Sequence, residues 1–403
     1  MAHPVQAQGA RHARGSPGEP EGIMRLQNAL LVAVALSASA IALTAQQQVG
    51  TPGVQAGRDP NRAAFVAANC KVQPAAAAPA GPAPGGNAGR GGNANAAPAA
   101  PAAPPVLIPP DPAPAIPGVL AAGQRWRKVW EGTGNNTDGA TGTDKGLLLA
   151  QNDLSQIIEI SLANGSVEVL AKDTMTGGAI AILPDGQLYV GSRALNRGIW
   201  KVSPRQLFTN TMNGEPLECL GPAVLNDMVA DKKGGIYMTM GGVYYANARG
   251  VVSGRYGRVG GNGIVVSPDD RTLYVTGRLP GATPPADLKL PAGAPTPTGG
   301  LVAFDIQPDG SLTNERQFAW AGNDGSAVDL QGRIYTPGNN GAWVIDGKTG
   351  EFLGYFPTPA GTHGLHFGGP GRRTLFSLQL NVQTSVHAID TLVQGYQATE
   401  WKR

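Results

Sequence analysis

Residues 120–403 alternate short apolar runs with clusters of Gly, Asn, Asp and Pro, the pattern of many short strands separated by turns. One unit recurs: a turn, then a strand carrying a large residue. It appears as DKGLLLA, PDGQLYV, KGGIYMT, DDRTLYV, LQGRIYT and GRRTLFS, with Leu148, Tyr189, Tyr237, Tyr274, Tyr335 and Phe376 as the matched residues. The gaps between them are 41, 48, 37, 61 and 41 residues, and the longest holds a Pro-rich, loop-like stretch at 278–298. A second strand follows each anchor, at 157–160, 198–202, 243–246, 301–306, 342–346 and 386–389.

Six anchors and six followers at a period near ~45 residues predict an all-β, six-bladed β-propeller over 120–403, one four-stranded sheet per blade. A twisted sheet cannot bury both faces alone, whereas a closed ring of sheets buries them and protects most edges. A β-sandwich would not keep this period.

Composition matters mainly outside this region. The 403 residues include 58 Gly and 34 Pro, with 15% charged and 6% aromatic. That excludes a coiled coil, and the Gly lacks the three-residue period of collagen. Thirteen of the prolines fall in residues 71–118, mixed with Ala and Gly. Such a stretch buries too little apolar surface to offset its ordering entropy, so residues 46–119 are expected to be a disordered linker. Ahead of it, Arg25 precedes an apolar run from Leu30 to Ala45 with small residues at its end. This is the pattern of a signal peptide within a leader at 1–45, with Met24 as a second possible start. The run is short of the ~20 residues a membrane span needs, and an uncleaved anchor is the alternative. The expected location is periplasmic or extracellular, with no membrane span after cleavage. A formal charge of +3 gives no electrostatic case for nucleic acid or an acidic membrane surface. Cys70 and Cys219 belong to no CxxC pair, which excludes a thiolate zinc site. A disulfide and two free thiols are both open at this point.

In a propeller the innermost strand of each blade lines the central channel, and the residue starting it points into the channel mouth. Eleven to thirteen residues before their anchors stand Asn226, Asn262, Asp324 and His363. Blade two offers only Thr176, and in blade one Glu131 lies 17 residues before Leu148. Asn-Gly and Asp-Gly are common turn dipeptides, but the shared phase puts Glu131, Asn226, Asn262 and Asp324 on one ring. Crowded carboxylates repel, and a bound divalent cation removes that penalty. Two carboxylates and two amide carbonyls are hard oxygen donors, so Ca2+ is the expected metal, ahead of magnesium or manganese and well ahead of zinc.

These residues resemble the SMP-30/gluconolactonase/LRE-like family of calcium-dependent six-bladed propellers. The matching stretches are WEG (130–132), LNDMVADKKGGIY (225–237), NGIVVSPDDRTLYV (262–275), NDGSAVDLQGRIY (323–335) and HGLHFGGPGRRTLF (363–376). The resemblance implies that Glu131, Asn262 and Asp324 are metal ligands, that Asn226 is metal-proximal or binds substrate, and that Asp324 is the catalytic base. The chain departs from the family at Thr176-Gly177-Gly178, where members often carry Asn-Gly. It departs again at Thr239-Met240-Gly241-Gly242, in place of a Thr-Asp-Pro run, and at Val224, where animal members carry a substrate-binding Arg.

No GxSxG elbow and no HExxH occur. His363 and His366 are three apart, which on a regular strand sends them to opposite faces. His363 is the candidate to touch substrate from the mouth, against a packing role. The expectation is a secreted, metal-dependent hydrolase that opens a small-molecule, sugar-type lactone, gluconolactone by resemblance. The cation polarises the carbonyl, Asp324 takes a proton from water, and Asn226 and His363 bind substrate. The alternatives are a non-catalytic sugar- or ligand-binding propeller with a structural calcium ion, and a hydrolase of another ester or a phosphotriester.

Overall fold

The computed structural model describes residues 50–51, 53–71, 108–133, 139–379 and 383–402. The leader at 1–45 and most of the Pro-rich segment lie outside the described residues. Six four-stranded antiparallel sheets form a six-bladed propeller. Blade one is Ala140–Gly142, Gly146–Gln151, Gln156–Ser161 and Val167–Lys172. The innermost strands of blades two to five are Ala179–Ile182, Met228–Ala230, Ile264–Val266 and Ala327–Val328. Blade six takes Thr362–Gly368, Thr374–Gln379 and Gln383–Asp390, and its outermost strand is Arg127–Thr133, which precedes blade one in the chain. Pairing Arg127–Thr133 with Gln383–Asp390 closes the ring with backbone hydrogen bonds and removes one exposed edge.

Each predicted anchor lies on the second strand of its blade and each predicted follower on the third. Packing explains the pattern. Leu147 and Leu149 face Phe376, Leu378 and Val386 of blade six. Leu148 and Ala150, one residue along, face Ile180, Ile182 and Val190 of blade two. Successive side chains point to opposite faces and both faces are covered, so these strands read as continuous apolar runs. Among the described residues, six such clusters fill the six blade interfaces.

Two stretches of the segment 46–119, expected to be a linker, carry structure. Ala113, Ile116, Val119 and Leu120 join the core between blades five and six, and Trp126 Nε1 donates to the Pro357 carbonyl at 2.9 Å. Further upstream, helix α1 (Arg62–Asn69) packs Val66 inward, and Cys70 is bridged to Cys219. Arg62 Nε donates at 2.7 Å to the buried carboxylate of Glu218, which also accepts from Arg197 Nε at 2.9 Å. Both stretches have apolar residues to bury, unlike the Pro/Ala/Gly run between them. Among the described residues no helix is long and apolar enough to cross a membrane.

The bridge closes a 149-residue separation in the chain. Constraining so long a loop in the unfolded state is worth about 2–4 kcal/mol. A Cys70→Ser/Cys219→Ser variant is therefore expected to unfold at lower urea concentration, by that amount of free energy. Equal midpoints for the two proteins, with equal slopes, would contradict the bridge.

Candidate functional site at the channel mouth

The strand register brings the candidates together. Tyr237 pairs with Val229, Tyr274 with Val265, Tyr335 with Ala327 and Phe376 with His366. Three residues before those partners stand Asn226, Asn262, Asp324 and His363. All four thus occupy the same level, at the end where the innermost strands begin. Blade two has Gly178 at this level rather than Thr176, because Tyr189 pairs with Ala181.

Short bonds lock adjacent blades there. Thr239 accepts from Asn226 N through its carbonyl at 2.8 Å and donates to the Asn262 carbonyl through Oγ1 at 2.5 Å. The Asn262 amide Nδ2 donates to the Asn323 carbonyl at 3.3 Å. Asp227 staples blade three to blade four, accepting from Met228 N at 2.8 Å and from Ile264 N at 3.0 Å. Gly263 is no turn glycine. A Cβ on it would overlap the Asp324 carbonyl, so its bare backbone lets Asn262 and Asp324 sit side by side. Gly325 and Gly364 pair as a parallel bridge, which sets Asp324 beside His363.

Below this ring the six innermost strands enclose a channel of about 130 Å³, lined by Ile180, Asp227, Val265, Ser326 and His366 among others. That is well below the range of about 300–1,000 Å³ for pockets that take drug-sized molecules. The far end is crossed by the C-terminal segment: Tyr396 N donates to Val328 O and Lys402 N to Gly186 O, each at 2.8 Å. Among the described residues, this segment lies across the far end and not across the ring end.

Glu131 does not join the ring. It lies on Arg127–Thr133, the outermost strand of blade six, opposite Ser385, and its carboxylate meets Lys128 Nζ at 2.7 Å. Three strand spacings separate that strand from the innermost one, about 14 Å. Seventeen residues before Leu148 the chain has already left blade one and lies in the closing strand. Counting by register instead, Leu148 pairs with Thr141, and three residues earlier is Asp138, which lies outside the described residues. Asp138 lies 10 residues before Leu148, one fewer than the shortest spacing in blades three to six.

A bulge between Thr362 and Gly364 breaks the alternation that was expected to separate His363 from His366. His363 is 5% exposed at the ring, and its charge reaches His366. Burial, aided by His363, pushes the His366 ring down to a pKa of about 3, so it is neutral at ordinary pH. Asn262 Oδ1 is buried and meets no hydrogen-bond donor. Such an acceptor costs about 1–3 kcal/mol unless something binds it. An amide oxygen of this kind, one blade from Asp324, is a hard donor of the type a dication such as Ca2+ takes. Among the described residues no three His, Cys, Asp or Glu cluster as a metal site, so the donors here are mainly amides.

Residues 139–378 match the SMP-30/Gluconolactonase/LRE-like region. A comparison with curated proteins finds no match. Among solved structures, a gluconolactonase from Xanthomonas campestris is 21% identical, covering 72% of this chain and 99% of its own, with a TM-score of 0.57. Regucalcin, a calcium-binding protein from Agrobacterium tumefaciens, is 17% identical over 67% of this chain and 95% of its own, with a TM-score of 0.50. A luciferin-regenerating enzyme is 16% identical over 70% of this chain and 100% of its own, with a TM-score of 0.51. These likenesses concern the fold.

Proposed function

This chain belongs to the SMP-30/gluconolactonase/LRE-like family, and on that premise we propose that it is an exported, metal-dependent lactonase acting on a sugar-type lactone such as gluconolactone. The observation that carries the reading is the convergence of Asn226, Asn262 and Asp324 on consecutive blades at the open end, with Asn262 Oδ1 buried and unmatched. Asn262 and Asp324 would hold the cation, Ca2+ by their oxygen donors, and its chemistry there is polarisation of the lactone carbonyl. The Asp324 carboxylate takes a proton from the attacking water. A new bond forms from that water to the carbonyl carbon, the ring C–O bond breaks, and the departing oxygen receives the proton to leave a hydroxy acid. Asn226 and His363 orient the sugar hydroxyls. The narrow channel and its covered far end keep the ring of the sugar at the mouth. The Cys70–Cys219 bridge supports an oxidising compartment, as export requires.

The test is proton release from a panel of aldonolactones at fixed pH, with and without chelator, beside calcium titration by calorimetry. Chelator-sensitive turnover is expected. Calcium and gluconate binding without any turnover would instead favour a non-catalytic sugar-binding propeller. That second reading draws on the loss of Glu131, which leaves Asp324 as the carboxylate among the described ring-level residues.

Glu131→Gln is expected to leave metal content and turnover within about twofold of the parent. An exposed ion pair contributes about 0–1 kcal/mol, so stability should barely move. Metal analysis of the purified variant checks this, and a lost stoichiometric ion would return Glu131 to the site.

A further inference from the structure

The ring level has one position without a side chain of its own. Blade two presents Gly178 where blades three to six carry Asn226, Asn262, Asp324 and His363. That position is filled from elsewhere. A Cβ on Gly178 would overlap Nε and Cζ of Arg193, so the guanidinium lies where a blade-two side chain would project. Gly178 has no left-handed φ, so the guanidinium and not the backbone excludes a larger residue.

Arg193 comes from the connection between Leu188–Gly191 and Ile199–Lys201, on the mouth side of blade two. It is 2% exposed. Its main chain is held from two directions. Arg193 N donates to Thr176 O at 3.3 Å, and its carbonyl accepts from Ala56 N at 2.7 Å, in the stretch tied down by the Cys70 bridge. Its side chain reaches across to blade three, where Nε donates to the Leu225 carbonyl at 2.9 Å and Nη2 to the Asn226 carbonyl at 2.6 Å. Nη2 also lies 3.4 Å from the Gly178 carbonyl. Burying a guanidinium is costly unless its donors are matched. Here the matching acceptors are successive carbonyls leading into a ring residue.

We propose that Arg193 is a positioning residue that replaces the missing blade-two side chain and fixes Asn226 at the mouth for ligand binding. What Asn226 binds rests on the lactonase reading; the filling of the Gly178 position does not.

The experiment compares Arg193→Met, Arg193→Lys, Gly178→Asn and the double variant Gly178→Asn/Arg193→Met in the full chain. Thermal unfolding and calcium-dependent binding of gluconate by calorimetry are measured for each, with KM and kcat for gluconolactone. Gly178→Asn alone is expected to lower Tm, because its side chain meets the guanidinium. In the Arg193→Met background the same change should cost much less. Arg193→Met should weaken gluconate binding and raise KM roughly tenfold or more, the loss of hydrogen bonds from a charged donor, with kcat within about threefold. Arg193→Lys should not restore binding, because one ammonium lacks the planar fork that spans two carbonyls. The double variant, with an amide back at the ring level, should recover part of the lost binding. Additive Tm losses, or unchanged gluconate binding in Arg193→Met, would overturn the proposal. If the parent binds neither calcium nor gluconate, the lactonase reading falls and the Tm comparison alone decides whether Arg193 fills the Gly178 position.

Discussion

Turnover of gluconolactone by an Asp324→Ala protein is expected to fall by about a thousandfold or more, with the fold intact. General-base catalysis contributes about 10²–10⁴-fold, and the same carboxylate would also be lost as a metal ligand. The main chain at this position should survive the change. Its carbonyl contacts, to Ser326 Oγ at 3.1 Å and against Gly263, do not involve the carboxylate. Oδ1 of the side chain accepts a local hydrogen bond from Gly325 N at 2.9 Å. Asp324→Asn separates the two roles, since an amide oxygen can still ligate but cannot take a proton at neutral pH. Asp324→Asn should therefore keep measurable calcium binding while losing turnover, whereas Asp324→Ala loses both. Calorimetry for calcium and proton release for turnover read the two roles separately. Full activity in Asp324→Ala would end the proposed mechanism.

Stability is expected to fall steeply as pH drops from about 6.5 towards 5, before most carboxylates begin to titrate. Two histidines cause this. His366 lines the channel with its Nε2 buried, and burial together with the charge of His363 holds its pKa down to about 3. His387 is 1% exposed in the sheet of blade six, its Nδ1 2.6 Å from Gln379 Oε1. Burial lowers its pKa to about 4, with Lys128 adding to the effect and Glu131 opposing it. Both rings are neutral in the folded chain but take a proton near pH 6.5 when unfolded. Their contribution is thus fully present above pH 6.5 and is lost as pH falls towards their folded values. At pH 5 the loss is on the order of 2 kcal/mol for each ring. Urea unfolding between pH 7.5 and 5 should show it, and His387→Gln should flatten the slope by about half. A stability that stays level across that interval would mean that one or both rings are charged in the folded protein.

Much of the propeller was legible because its physics is local and repeated. Every blade buries both faces, so each second strand announces itself by an apolar run after a turn, from LLLA at 147–150 to TLFS at 374–377. The anchors Leu148 to Phe376 fell on the second strands for that reason. Asn226, Asn262, Asp324 and His363 were legible through their distance from those anchors. Glu131 misled because blade one begins after a turn-rich stretch, and a count of residues cannot tell an innermost strand from the strand that closes the ring. Thr176 misled in the same way: two residues separate it from the position that register assigns to Gly178. The folded stretches inside 46–119 were hidden by the Pro/Ala/Gly run between them, whose composition dominated the average.

The amino-acid sequence alone determined six repeats, their strands and the residue types available at the start of each blade, since turns, alternation and spacing are properties of neighbouring residues. Tertiary structure decided which of those residues meet. Ring closure moved Glu131 to the outer edge, Gly263 let Asn262 and Asp324 approach, the Cys70–Cys219 bridge tied an upstream stretch to the connection between blades two and three, and Arg193 entered the position Gly178 leaves bare. Each of these depends on contacts between residues far apart in the chain, and such contacts are set by how the sheets stack and the ring closes, which local sequence pattern does not encode.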